Sequence, residues 1–132
     1  MKRILVIDDD QQFLRMLTEM LETTGYEIRS VDNGDTALAL LKKQGPWDVV
    51  LCDILMPRPD GIETILKIRQ WNPDQPLIAM TGGGRYLDAD QVQRMVQDFG
   101  VPEVLRKPFS MARLIEALEK CVAPVPRRSI PA

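Results

Sequence analysis

Histidine is absent from all 132 residues. That excludes serine–histidine and cysteine–histidine nucleophile pairs, histidine zinc sites and any phosphohistidine carried by this chain. Cysteine is scarce: Cys52 and Cys121 form no CxxC pair and no disulfide framework, which suits the reducing cytoplasm. Aromatic residues make up only 5% of the chain, too few for a platform that stacks single-stranded nucleic acid. An excess of basic charge is also missing. Seventeen Lys and Arg stand against 19 Asp and Glu, for a net charge of −2, so no nucleic-acid partner is expected through this chain. The longest apolar runs, such as Ile4–Ile7 and Val49–Cys52, fall far short of the ~20 residues of a membrane span. The short apolar stretch after Met1-Lys2-Arg3, stopped by acid, is no secretory signal, so no membrane partner is expected either. The chemistry left to the chain runs on carboxylates, hydroxyls, lysine, backbone amides and a hard metal.

What is present is an alternation of short apolar runs with helical patterns, the signature of βαβ units around a parallel sheet. Ile4–Ile7 is continuous and β-branched, as a strand covered on both faces requires. Phe13, Leu14, Met16, Leu17, Met20 and Leu21 then fall on one broad helical face, with Gly25 as the expected C-cap. Tyr26–Val31 reads as a second strand, and 36–43 as a helix opened by Asp32-Asn33-Gly34 and stopped by Gly45-Pro46. Trp47–Cys52 reads as the third strand, Gly61–Trp71 as the third helix and Leu77–Met80 as the fourth strand. Val92, Met95, Val96 and Phe99 recur at helical spacing, Val104-Leu105 forms a brief strand, and Ser110 caps a helix turning Met111, Leu114, Ile115, Leu118 and Val122 inward. Five β-α units therefore occupy residues 1–122. Residues 123–132, with Pro124, Pro126 and Pro131 and no periodicity, are expected to be a disordered tail or linker stub.

Ligands of open parallel α/β sheets collect at the carboxyl ends of the strands. Asp8, Asp9 and Asp10 follow the first strand, Asp53 the third, Thr81 the fourth and Lys107-Pro108 the fifth. Three carboxylates in one pocket repel strongly, since two unit charges ~4 Å apart cost ~4 kcal/mol at an effective dielectric of 20. A hard divalent cation relieves this, and Mg²⁺ favours one or two carboxylates with waters and phosphate oxygens. One carboxylate can then attack phosphorus, while a lysine and a hydroxyl stabilise the equatorial oxygens. Taken singly the parts read otherwise. An acidic triplet also serves as a helix N-cap, and Gly82-Gly83-Gly84 is a turn that lacks the GxxxxGK[ST] layout.

The ordered set Ile4-Leu-Val-Ile-Asp-Asp-Asp10, Asp53-Ile-Leu-Met-Pro57 with Asp60-Gly61, Met80-Thr-Gly82 and Lys107-Pro-Phe109 resembles the receiver domain of two-component response regulators. The likeness covers residues 1–122. It implies a flavodoxin-like, doubly wound (βα)5 sandwich with a parallel sheet in the order 2-1-3-4-5. By the same resemblance Asp53 is the phosphoacceptor, Asp9 ligates Mg²⁺ directly, Asp8 acts largely through water, and the backbone carbonyl of Leu55 completes the protein ligands. Thr81 hydrogen-bonds a phosphoryl oxygen and Lys107 pairs with the phosphate, across a Lys107–Pro108 bond expected to be cis.

The resemblance also implies a phosphoprotein rather than a turnover enzyme. Its donor is a sensor histidine kinase or histidine phosphotransfer protein, and its output is contact with a further protein target or onward transfer in a relay. The chain is expected to be a stand-alone receiver, a monomer or a phosphorylation-dependent dimer. Rival readings are an Mg²⁺-dependent aspartate-nucleophile phosphohydrolase and an inert pseudo-receiver that only binds partners. Val104 stands where the family usually carries Tyr or Phe, so a large aromatic swing is not expected. The glycine-rich stretch 82–90, with Arg85 and Tyr86, is longer than usual. Leu55 and Gly83 border the expected path of the attacking water, and Leu14 or Met16 offers surplus apolar surface for a partner helix.

Overall fold

A computed structural model of the chain describes residues 2–45, 47–54, 61–82 and 89–122. The elements run β1 (Arg3–Ile7), α1 (Gln11–Glu22), β2 (Glu27–Val31), α2 (Gly34–Gln44), β3 (Val49–Asp53), α3 (Gly61–Trp71), β4 (Leu77–Thr81), α4 (Ala89–Gln97), β5 (Glu103–Arg106) and α5 (Met111–Val122). All four strand pairings are parallel and the sheet order is β2-β1-β3-β4-β5, the doubly wound arrangement.

Alternation along the buried strands sends side chains into two cores. Leu5, Ile7, Val50, Cys52, Leu77, Ala79 and Val104 face α2, α3 and α4, where Leu41, Ile65, Ile68, Val92 and Val96 meet them. Ile4, Val6, Val49, Leu51, Ile78, Met80 and Leu105 face α1 and α5, against Phe13, Leu14, Leu17, Leu21, Leu114 and Leu118. Strands covered on both faces explain why these runs are continuously apolar rather than alternating. Val104 fills the α4 side with Val92, Val96 and Val101 and is buried.

Several local expectations shift by a residue or two for identifiable reasons. β3 begins at Val49 because the Gln75 side chain claims the backbone of Trp47. Its Oε1 accepts from the Trp47 N–H at 3.1 Å, and its Nε2 donates to the Trp47 carbonyl at 2.8 Å. α1 is capped by Thr23 rather than Gly25. Gly45 does end α2, in the left-handed region at φ +78° where a Cβ is disfavoured. Met16 and Met95 lie on the outer sides of their helices and are exposed, whereas Leu14 is buried between α1 and the sheet, so only Met16 is surplus apolar surface. Met111 and Ile115 are half-buried, and the side chain of Val122 lies outside the described residues.

Arg69 of α3 staples the back of the α3–α4 layer. Its guanidinium donates to the carbonyls of Phe99 (2.5 Å), Gln75 (2.6 Å), Gly100 (3.0 Å) and Asn72 (3.3 Å). Burial lowers its pKa, and Asp74 partly opposes that shift. Arg69→Ala removes the donor to the carbonyls of Phe99, Gln75 and Gly100, the Asn72 carbonyl keeping the Gln75 N–H, and is expected to cost about 3 kcal/mol in urea unfolding. Arg69→Lys should recover less than half, because one ammonium cannot span the fork. A loss below ~0.5 kcal/mol for the alanine variant would remove the staple from the account.

No disulfide joins the two cysteines, Cys52 buried and Cys121 half-buried on α5. Burial first, and the Glu103 carboxylate second, push the Cys121 thiol up to about 11. A raised pKa keeps it protonated at pH 8, so alkylation of the native chain should run about two orders of magnitude below that of free cysteine. Alkylation at the free-cysteine rate would contradict this.

Candidate functional site

The sheet register brings the polar residues together. Ile7 pairs with Cys52, and Asp53 pairs with Met80, which places Asp8 beside Asp53 and Thr81 one residue further along β4. Thr81 pairs with Arg106, and the Lys107 N–H donates to the Thr81 carbonyl at 2.8 Å, fixing where the lysine leaves β5. Asp8, Asp53, Thr81 and Lys107 thus meet at the carboxyl edge of β1, β3, β4 and β5, as the strand-end argument predicted. The Lys107–Pro108 bond is cis.

Asp8 is fully buried and Asp53 nearly so at 5% exposure, whereas Asp9 is exposed. One carboxylate oxygen from each of the three lies within 4.8 Å of the others, a donor set suited to a hard cation. The Lys107 ammonium bridges the two buried acids, at 2.6 Å from Asp8 Oδ2 and 3.4 Å from Asp53 Oδ2. Asp8 Oδ1 accepts from the Asp10 N–H at 3.0 Å. Both Asp8 oxygens therefore have protein partners.

Asp10 takes the other role open to an acidic triplet. It is the N-cap of α1, its Oδ1 accepting from the Phe13 N–H at 3.1 Å. The triplet divides its work: Asp8 and Asp9 face the pocket and Asp10 starts the helix.

Two contributors escaped the sequence reading. Phe13, assigned there only to the apolar face, lays its ring 4.1 Å from the Lys107 ammonium and packs nearly perpendicular to Phe109, with centroids 5.8 Å apart. Gly61, at the start of α3, lies against the backbone beyond Asp53. A Cβ there would collide with the Asp53 carbonyl oxygen and sit 2.5 Å from Ile54 Cα. Gly61→Ala must therefore shift either α3 or the end of β3. A loss of about 2–3 kcal/mol in thermal or urea unfolding is expected. Unchanged thermal stability would show that the approach is looser than described. The motif Asp60-Gly61 carried the only sequence signal for this position.

Leu55, whose carbonyl was expected to ligate metal, lies outside the described residues, as do Gly83, Arg85, Tyr86 and residues 123–132. Among the described residues, no helix is long and apolar enough to cross a membrane.

Comparisons with known proteins agree with this geometry. The chain is 34% identical over 123 residues to the response regulator receiver protein CpdR of Brucella abortus, covering 91% of this chain and 96% of that protein. It is 33% identical over 115 residues to the transcriptional regulatory protein CpxR of Klebsiella pneumoniae, of which it spans only 47%. Among solved structures, a response regulator receiver domain protein from Clostridium thermocellum superposes with a TM-score of 0.83 at 27% identity, over 92% of this chain and 94% of that one. The chemotaxis protein CheY4 of Vibrio cholerae gives a TM-score of 0.80 at 25% identity, over 92% and 98%. The family described as the response regulator receiver domain matches residues 4–119. With its (βα)5 order and its acidic edge bridged by a lysine, the chain belongs to the receiver domains of two-component response regulators.

Proposed function

We propose that Asp53 accepts a phosphoryl group from a phosphohistidine on a partner protein, a sensor histidine kinase or a histidine phosphotransfer protein, in a reaction that requires Mg²⁺. The observation that carries this reading is the Lys107 ammonium bridging Asp8 and Asp53 with the Asp9 carboxylate beside them. Asp9, exposed, and Asp53 fit as direct ligands, and Asp8, with both oxygens engaged, fits a role through water; the Leu55 carbonyl is the further ligand implied. Mg²⁺ bound there supplies charge neutralisation of the carboxylates and of the incoming phosphoryl oxygens.

The residues of the chain do the rest. An Asp53 carboxylate oxygen forms the bond to phosphorus as the bond from phosphorus to the donor imidazole nitrogen breaks, and the electron pair leaves with the imidazole. The new acyl phosphate, a mixed anhydride, no longer offers Lys107 the same carboxylate charge, so the ammonium turns to a phosphoryl oxygen. The Thr81 hydroxyl, at the adjoining strand end, donates to another. Phosphorylation adds ~−1.5 to −2 of charge, and the recruitment of Thr81 pulls on the segment after β4. Output then follows through altered protein contact or onward phosphotransfer. Val104, packed on the α4 side, repacks rather than swinging as an aromatic would.

Incubation with acetyl phosphate and Mg²⁺, followed by intact mass, tests the reading. One phosphoryl adduct per chain that decays without multiple turnover is expected. Rapid catalytic release of phosphate would favour the phosphohydrolase, and no adduct with any small donor would favour a pseudo-receiver.

A further inference from the structure

Four contacts close a ring around the half-buried lysine. Lys107 Nζ lies 2.6 Å from Asp8 Oδ2, and Asp8 Oδ1 accepts from the Asp10 N–H. Asp10 Oδ1 accepts from the Phe13 N–H, and the Phe13 ring returns to Lys107 Nζ at 4.1 Å. One continuous segment, 8–13, therefore grips the ammonium both by a carboxylate and by an aromatic ring. The N-cap sets the Phe13 backbone, and the near-perpendicular packing on Phe109 sets the plane of the ring. Phe13 is 8% exposed and the Lys107 side chain 17%, so little water screens the contact.

We infer that Phe13 is a positioning residue for Lys107, holding its ammonium at the phosphoacceptor through the face of an aromatic ring rather than through bulk alone. The physical reason lies in which contacts survive the reaction. Cation binding and phosphorylation both alter the charge that Asp8 and Asp53 present to the lysine. The ring quadrupole is unchanged by either event. A ring that attracts the ammonium by cation–π interaction keeps a flexible four-carbon side chain from straying into solvent while its carboxylate partners are redistributed. Leucine would fill much of the same core volume and supply none of this attraction.

The inference rests on the reading of Lys107 as the phosphoryl-binding lysine, and its test separates the two. The wild-type chain, Phe13→Leu and Phe13→Tyr are compared by thermal melting, by NMR of the Lys107 ε-methylene (assigned through Lys107→Arg), and by titration with beryllofluoride in excess Mg²⁺. The wild-type ε-methylene is expected upfield from ring current. Phe13→Leu should lose that displacement and require about 3- to 30-fold more beryllofluoride for half-saturation at a similar melting temperature. Phe13→Tyr should keep both properties within about twofold. Wild-type affinity in Phe13→Leu, equal weakening in the leucine and tyrosine variants, or an undisplaced ε-methylene in wild type would overturn the inference. Should the leucine variant fail to fold, the wild-type shift and the tyrosine variant still decide it. A wild type that binds no beryllofluoride would instead sink the phosphoacceptor reading, and the ring-current shift would still judge the contact.

Discussion

Asp53→Asn is expected to reduce acyl-phosphate formation to background while leaving the fold intact. The amide nitrogen and oxygen of asparagine occupy nearly the same space as the carboxylate, but the group lacks the anionic nucleophile that attacks phosphorus. Stability should respond in the opposite sense from an ordinary buried-residue change. Asp53 shares its pocket with Asp8 and Asp9, with one carboxylate oxygen of each within 4.8 Å of the others, and among the described residues one ammonium, that of Lys107, bridges the two buried acids. Neutralising one acid removes a repulsion of up to ~4 kcal/mol at an effective dielectric of 20 and weakens the longer, 3.4 Å, lysine contact. Without divalent cation the variant should thus be at least as stable as wild type in urea, and added Mg²⁺ should stabilise it less than wild type. A variant that still forms the adduct, or that unfolds more easily than wild type in chelator, would contradict the assignment.

Lys107→Ala is expected to have the largest cost to stability. The lysine is the sole cation within ion-pairing distance of Asp8 and Asp53 among the described residues, and Asp8 is fully buried. Removing one partner of a buried pair leaves an uncompensated charge, for which about 3–5 kcal/mol is typical. The loss should be greatest in chelator and should shrink on adding millimolar Mg²⁺, because the three carboxylates then regain a counter-charge. Equilibrium urea unfolding of wild type and variant, each with and without Mg²⁺, checks this. A penalty under ~0.5 kcal/mol, or one that Mg²⁺ leaves unchanged, would show that the lysine is not the electrostatic keystone of the site.

Most of the architecture was legible because the βα rhythm is written in local patterns. Strands covered on both faces appear as unbroken runs such as Ile4–Ile7, and helices as recurrent apolar positions bounded by Asn33, Gly45 or Ser110. The site was legible too, since a parallel sheet sends every strand's carboxyl end to one edge and the polar residues at those ends cannot avoid each other.

What stayed hidden were contacts made across long stretches of chain. Periodicity places Leu14 and Met16 at opposite edges of one broad helical face but does not say which edge meets the sheet. The seating of α1 against the sheet decides it, burying Leu14 and exposing Met16. Gln75 and Arg69 read as ordinary polar residues until the fold brings them to orphaned carbonyls of Trp47, Phe99 and Gly100, 28 to 31 residues away. The Lys107–Asp8 pair spans 99 residues. Sequence put both at the carboxyl edge of the sheet, yet only the geometry shows that the lysine sits closer to Asp8 than to Asp53, so that the proposed transfer calls for a shift of the ammonium toward position 53.

The central claim is that one particular carboxylate among three adjacent ones carries the phosphoryl group. The direct measurement is to phosphorylate the full chain with acetyl phosphate and Mg²⁺, reduce the acyl phosphate with borohydride, and locate the reduced side chain by peptide mass spectrometry. Reduction at position 53 alone is the predicted result. Reduction at position 8 or 9, or at none of the three, would contradict it.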